Sequence, residues 1–326
     1  ASFSTSGIAA GSYYVFAVAD YAQAIAEANE SNNASNGVAL TVTAPAQLLG
    51  KLANGNPVLI RNINSTKDLE PDNPHTWIVI HGWNSNSTIF WNLGARIYDS
   101  LQNFGTTYQN AQILSIDWED AAFDGYLWSN LRTVEGRIEE VATLAAGLLK
   151  HGGFQGGNLN LVGHSFGAYV ANEIAEVLDG VNTIVGLDPA FNVPENTFNP
   201  DDVTQINFED NSRYSWAFTD ADTLGNVASP ITPTTADEAI AVRGSNHTGI
   251  HELFAEMLRD PTGGNGVNQL FQLNRLLAYE PGQWIPDQYS EKGDPSASGG
   301  YEAVITIKAF SSHTPSSILY VSDLSV

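Results

Sequence analysis

Between residues 57 and 259 short apolar runs alternate with stretches of helical periodicity, which is how a parallel-sheet α/β domain reads. Residues 58–63, 76–80, 112–116, 159–162, 183–187 and 205–208 predict strands. After Asn130, apolar Val134, Ile138, Val141, Ala145, Leu148 and Leu149 follow a helical stripe while Arg137, Glu139 and Glu140 face elsewhere, so a helix is predicted there. Residues 168–178 and 250–258 predict two more. The ends read differently. Residues 13–18 and 38–42 predict strands on either side of a polar stretch rich in Asn, Glu and Ser, and residues 263–300 are rich in Gly, Asn, Gln and Pro, as loops are. Further strands are expected at 301–307 and 317–321. The chain therefore divides into a β segment (1–45), an α/β domain (46–262) and a C-terminal extension of loop and strand (263–326), with no internal repeat.

Composition narrows the chemistry. With 326 residues, 43% of them hydrophobic, the chain can bury one large core. Its 36 acidic and 13 basic residues leave a formal net charge of -23, whose field repels polyanions and argues against nucleic acid as a partner. The absence of cysteine removes disulfides, thiolate zinc sites and cysteine nucleophiles, which confines catalysis to hydroxyl, carboxylate and imidazole groups. No run reaches the roughly 18 apolar residues of a membrane-spanning helix, since even 141–149 breaks at Lys150, and a soluble protein is expected. The chain opens at Ala1 without the pattern of a signal peptide, so removal of a preceding segment is expected.

The segment LVGHSFGA (161–168) contains G-x-S-x-G between a predicted strand and a predicted helix. The bare pattern is weak in a chain with 29 glycines; its flanking elements make it informative. A turn tight enough to project Ser165 from the strand end in a strained conformation needs Gly163 and Gly167 to avoid clashes with neighbouring backbone. The following helix would offer its unpaired first amides to negative charge near the serine. A second donor is expected from the loop after an earlier strand, and TWIVIHGW (76–83) has that form, so the amides of Trp83 and Phe166 are the expected oxyanion donors.

A serine hydroxyl needs an imidazole to accept its proton and a carboxylate to fix the imidazole tautomer. Among the seven histidines, His164 adjoins the serine and would point away from it, and His81 belongs to the oxyanion loop. His75, His151 and His313 lie in polar surroundings and are expected to be solvated. His247 and His251 are both downstream of the serine; His247, in the loop GSNHTG, is favoured over His251, which belongs to the predicted helix. For the acid, GLDPA (186–190) places Asp188 at the carboxyl edge of a strand, where an isolated Asp-Pro would ordinarily be read as a strand-ending cap.

The set IHGW, IDW (116–118), LVGHSFGA, GLDPA and NH (246–247), in this order and spacing, resembles the pancreatic lipase family across residues 76–259. The resemblance implies an α/β-hydrolase fold, with a mainly parallel central sheet flanked by helices, to which the strands expected near both termini are small β additions. It also implies a triad of Ser165, Asp188 and His247, the acid following the very next strand after the nucleophile. The implied activity is hydrolysis of lipid esters, as a lipase or a phospholipase A1-like enzyme, through an acyl-enzyme and without a redox cofactor. A short-chain or polyester esterase, or a catalytically silent lipase-like binding protein, are the alternatives.

The family often binds a structural calcium after its catalytic Asp. PENTFNPDDV (194–203) is similar to that stretch, with Glu195, Asn199, Asp201 and Asp202 as oxygen ligands, although the spacing departs by about one residue and Asn199 stands where a carboxylate is usual. Residues 219–243 are expected to form a small lid stiffened by Pro230 and Pro233. Phe90, Tyr214, Trp216 and Phe218, with Trp83 and Phe166, are candidates to line an acyl groove, although such aromatics more often serve the core. Residues 11–33 resemble the closing strands of CARDB-type immunoglobulin-like modules, too few to close a sandwich unless 301–307 and 317–321 complete it. Together the resemblances imply a secreted or cell-surface bacterial protein, with lipid or other ester substrates as its partners.

Overall fold

The computed structural model describes residues 11–15, 38–42, 47–64, 68–104, 108–123, 133–134, 136–190, 206–220, 227–229, 232–243, 246–258 and 303–306. The chain forms two compact units, Ala1–Pro45 and Ala46–Val326. In the first, β1 (Gly11–Val15) pairs antiparallel with β2 (Val38–Val42), Gly11 opposite Val42 and Val15 opposite Val38.

The second unit is built on β3 (Gln47–Lys51), β4 (Pro57–Asn62), β5 (Thr76–Ile80), β6 (Gln112–Asp117), β7 (Leu159–His164), β8 (Val181–Leu187), β9 (Ser212–Asp220), β10 (Glu238–Arg243) and β11 (Ala303–Thr306). Its described strands form one sheet in the order β11-β10-β9-β8-β7-β5-β6-β4-β3. β3 and β4 make a hairpin, and β4 meets β6 antiparallel. Every other pairing is parallel. Every residue of β5, β7 and β8 is buried, because helices cover both faces of a parallel sheet and each strand must be apolar on both sides.

Helix α1 (Ser87–Phe104) packs on β5 and β6, beside α5 (Gly249–Leu258). The short α2 (Glu119–Ala122) follows β6. On the opposite face α3 (Ile138–His151) packs against α4 (Phe166–Val177). α3 forms where the stripe predicted it, burying Ile138, Val141, Ala142, Ala145, Ala146 and Leu149. Glu139 and Glu140 in its first turn and Lys150 in its last complement the helix dipole, and Lys150 Nζ donates at 2.6 Å to the Val177 carbonyl at the end of α4. This mainly parallel sheet, covered by helices on both faces, is an α/β-hydrolase arrangement.

Several expectations need correction. Residues 206–210 are a turn, not a strand: Asn207 accepts the Asp210 amide on its side-chain oxygen, and the Ser212 hydroxyl bonds the Phe208 carbonyl. Side chains that capture local backbone groups in this way stop the ladder, which begins only at Ser212. Within the expected lid, Thr219 and Asp220 close β9, residues 232–235 form a short 3-10 turn and residues 238–243 are β10, while residues 221–226, 230 and 231 lie outside the described residues. Residues 303–306 pair with β10 in the main sheet rather than with the N-terminal hairpin, and residues 317–321 lie outside the described residues. His75 is not solvated; it is buried, with its ring 4.5 Å from that of Tyr108. His151 is exposed, and His313 lies outside the described residues.

Candidate active site

The carboxyl ends of β5, β6, β7, β8 and β9 lie along one edge of the parallel sheet, and the candidate chemistry collects there. β7 ends at His164 and α4 begins at Phe166, so Ser165 alone makes the turn, with φ 55° and ψ -126°. This conformation is strained for any residue but glycine. Close packing of the two glycines enforces it. A Cβ on Gly163 would stand 2.2 Å from the Gly167 carbonyl oxygen, and one on Gly167 would stand 2.4 Å from the Ile80 oxygen and 2.7 Å from the His81 oxygen. The Ser165 amide donates to the Leu187 carbonyl at 3.0 Å, which ties the turn to β8.

Asp188 follows β8 with φ 46° and is fully buried. Its amide donates to the Phe218 carbonyl at 2.6 Å. Its Oδ1 accepts the Thr219 hydroxyl and the Asp220 amide, each at 2.7 Å, and its Oδ2 lies 2.6 Å from His247 Nδ1. His247 stands in the loop before α5, where Asn246 Oδ1 accepts the Gly249 amide and the Thr248 hydroxyl, each at 2.8 Å, and so holds the entry to the helix. The other ring nitrogen, Nε2, is 3.0 Å from Ser165 Oγ. A carboxylate can only accept, so Nδ1 carries the proton and Nε2 is free to accept from the serine hydroxyl. Side chains 59 and 82 positions apart thus meet in one hydrogen-bonded line. Ser165 is 6% exposed and the His247 side chain 20%, so the pair opens on the histidine side.

The loop after β5 runs against the serine. A Cβ on Gly82 would lie 2.7 Å from Ser165 Cβ and 2.8 Å from the His164 oxygen. His81 is buried and fixes the next peptide, its Nδ1 donating to the Gly82 carbonyl at 3.0 Å while Nε2 accepts the Trp118 amide at 3.1 Å. Trp118 Nε1 donates to the His81 carbonyl at 2.8 Å, and the two rings stack at 5.5 Å. The Asn84 amide bonds the Ala122 carbonyl at 3.1 Å. The loop that carries Trp83 is thereby held at both ends, and Phe166 is the first residue of α4.

His164 is buried directly behind this line, its Nε2 2.7 Å from the His247 carbonyl. Burial, and next the proximity of His247, hold its pKa well below that of a free histidine. Burial also lowers the pKa of His251, whose ring lies 5.4 Å from His164.

Phe90, Tyr214, Trp216 and Phe218 do not line an open groove. All four are buried in the core on the α1 and α5 side, where Trp216 meets Phe218 at 5.6 Å, Phe218 meets Phe254 of α5 at 5.5 Å, and Phe90 lies against His164 and His251. β9 is an interior strand covered by a helix, so its aromatics are packing residues. The candidate calcium ligands Glu195, Asn199, Asp201 and Asp202 lie outside the described residues. Thr219, Asp220 and the His164 contact escaped the sequence reading; their only signal was a Thr-Asp pair closing a strand beside the acid.

The sequence profile of the family described as Lipase matches residues 26–205, more than half of the chain. Pancreatic lipase-related protein 2 of Myocastor coypus is 32% identical over 120 residues, covering 35% of this chain and 23% of that protein. Phospholipase A1 of Vespula vulgaris is 30% identical over 127 residues, covering 34% of this chain and 35% of that one. The match thus spans about a quarter to a third of the length of these relatives. Among solved structures, an alpha-beta serine hydrolase homologue from Coxiella burnetii aligns at 13% identity and TM-score 0.38, over 67% of this chain and 98% of that one. A CIB-like hydrolase from Thermoplasma acidophilum aligns at 14% identity and TM-score 0.39, over 72% and 99%. On the extent of the profile match, and with the same motifs gathered at one sheet edge, this chain belongs to the pancreatic lipase family.

Proposed function

We propose that the chain hydrolyses carboxylic esters of lipids by acyl transfer, with Ser165 as nucleophile, His247 as base and Asp188 as the group that orients it. The observation that carries this reading is the pair of hydrogen bonds on one imidazole, 3.0 Å to the serine hydroxyl and 2.6 Å to the buried carboxylate. As Ser165 Oγ bonds to the ester carbonyl carbon, its proton passes to His247 Nε2, and the imidazolium that forms is stabilised by Asp188. The carbonyl oxygen becomes an oxyanion facing the amides of Phe166 and Trp83, each worth about 3 kcal/mol to the transition state. The His81 hydrogen bond to the Gly82 carbonyl supports the second donor: in a trans peptide the Trp83 N–H points opposite to that carbonyl. Collapse returns the proton from His247 to the leaving alcohol, and a water activated by the same ring then frees the acid.

Lipid esters are the favoured substrate class because relatives of this chain include a pancreatic lipase-related protein and a phospholipase A1. Work outside the cell or at its surface is part of the same reading and accords with the resemblance of residues 11–33 to modules of bacterial surface proteins. No helix among the described residues is long and apolar enough to cross a membrane.

The test is a chain-length series of p-nitrophenyl esters run beside phosphatidylcholine, galactolipid and triglyceride, with calcium present. Ser165→Ala is expected to lower kcat by roughly 10⁴- to 10⁶-fold. Full activity of that variant would remove the nucleophile, and an inert wild-type protein would favour a silent binding role. Activity confined to the shortest esters would replace the lipid assignment with a general esterase.

A further inference from the structure

His164 precedes the nucleophile in the chain, yet the acyl-transfer scheme gives its side chain no part. The ring is enclosed, and its Nε2 lies 2.7 Å from the main-chain oxygen of His247. A carbonyl oxygen only accepts, so this nitrogen carries a proton and donates it. The ring itself is set by three elements. It is anchored at the end of β7, lies 5.7 Å from Phe90 of α1 and 5.4 Å from His251 of α5, and stands 4.9 Å from the ring of His247. Phe90 and His251 stack on one another at 5.1 Å and close the far side. His247, by contrast, sits in a loop. Asp188 and Ser165 hold its ring, and the His164 donor ties its main chain to the end of β7, next to Ser165.

We propose that His164 is a positioning residue for the base: its Nε2–H, held by the Phe90 and His251 rings, fixes the His247 main chain so that His247 Nε2 meets Ser165 Oγ. The inference rests on the reading of Ser165 and His247 as nucleophile and base. Two adjacent residues of one turn then set both partners of the proton transfer, the serine through its strained backbone and the histidine through its neighbour's ring. A displacement of about 1 Å between reacting groups costs up to roughly 100-fold in rate, so loss of this tether acts on turnover before it acts on binding.

Two substitutions separate tethering from packing. His164→Phe keeps a ring between Phe90 and His251 but has no donor; His164→Gln loses the ring but places an N–H near the same point. In the full chain, with a p-nitrophenyl ester, His164→Phe is expected to lower kcat by about 10- to 100-fold with KM within about 2-fold, and His164→Gln to recover most of the loss. The low-field proton resonance of the His247 Nδ1–H bonded to Asp188 should shift or broaden in His164→Phe and return in His164→Gln. Wild-type kcat in His164→Phe, or equal losses in both variants with an unmoved resonance, would overturn the tether. If His164→Phe does not fold, His164→Met, of glutamine's length but without a donor, is set against His164→Gln: a glutamine variant at least about 3-fold faster in kcat supports the proposal, and a smaller difference rejects it. Ser165→Ala distinguishes the two levels. Activity retained there defeats the acyl-transfer reading, whereas its loss together with a fully active His164→Phe defeats only this inference.

Discussion

Thr219 donates its hydroxyl to Asp188 Oδ1 at 2.7 Å, the carboxylate oxygen that His247 does not use. Together with the Asp220 amide it saturates that oxygen inside a fully buried site, so the carboxylate cannot turn and present a different lone pair to the imidazole. Thr219→Val keeps the shape and removes the donor. Hydrogen bonds to charged groups contribute about 1.5–3 kcal/mol, and a loss of about that size in urea unfolding is expected, with kcat reduced about 10-fold. Thr219→Ser should restore both quantities. A valine variant with wild-type kcat would show that the Asp220 amide orients the acid unaided.

Ser165 holds a backbone conformation that only glycine adopts without strain, and such strain costs about 1–3 kcal/mol. Comparing Ser165→Gly with Ser165→Ala isolates that cost, because both lose the hydroxyl and its bond to His247. The glycine variant is expected to exceed the alanine variant in free energy of unfolding by an amount within that range, read from denaturant titrations of both, while neither turns over substrate. Equal free energies would mean that the turn is relaxed and that stored strain has no part in presenting the serine.

The interior of the sheet and the turn at Ser165 were legible because each depends on local chemistry, whereas Asp188 and His247 stood out through their order and spacing within the family resemblance. β5, β7 and β8 are buried on both faces and read as continuous apolar runs, and the turn at Ser165 demands glycine at two fixed positions. β9 was missed because its aromatics, mixed with Ser, Arg and Thr, carry no clean alternation; its partners on β8 and β10 come from distant sequence. The same aromatics suit a groove in sequence, because sequence does not reveal that α5 folds back over them. The His164 bond joins residues 83 apart through a main-chain oxygen, which leaves no side-chain signature at the receiving end.

Glu173, on the flank of α4, offers a pH signature independent of catalysis. Burial, reinforced by Glu176 and Glu139, raises its pKa from 4.5 to about 7. The folded state therefore binds a proton more tightly than the unfolded chain. The stability this contributes is complete below about pH 4.5 and is lost as pH rises through about 7. Glu173→Gln should be more stable than wild type at pH 8 and show no such advantage at pH 4.5, as thermal midpoints of the two proteins side by side will read. A constant difference across that window would mean that Glu173 titrates alike in the folded and unfolded chains.

Trp118 bonds His81 twice, its amide to the ring Nε2 at 3.1 Å and its indole N–H to the carbonyl at 2.8 Å. The first bond leaves the His81 proton on Nδ1, where it donates to the Gly82 carbonyl and so turns the Gly82–Trp83 peptide. The second fixes the strand end from which that peptide departs. Trp118→Phe keeps the amide, the stacking and most of the buried volume, and removes only the indole donor. Stability should fall by about 1–3 kcal/mol, the cost of leaving a buried partner short of its bond. If the Trp83 amide faces the developing oxyanion, kcat should fall about 10-fold with little change in KM, because a misaimed amide weakens the transition state more than the ground state. A variant that loses stability but turns over substrate at the wild-type rate would place the second oxyanion donor elsewhere than on the loop that Trp118 holds.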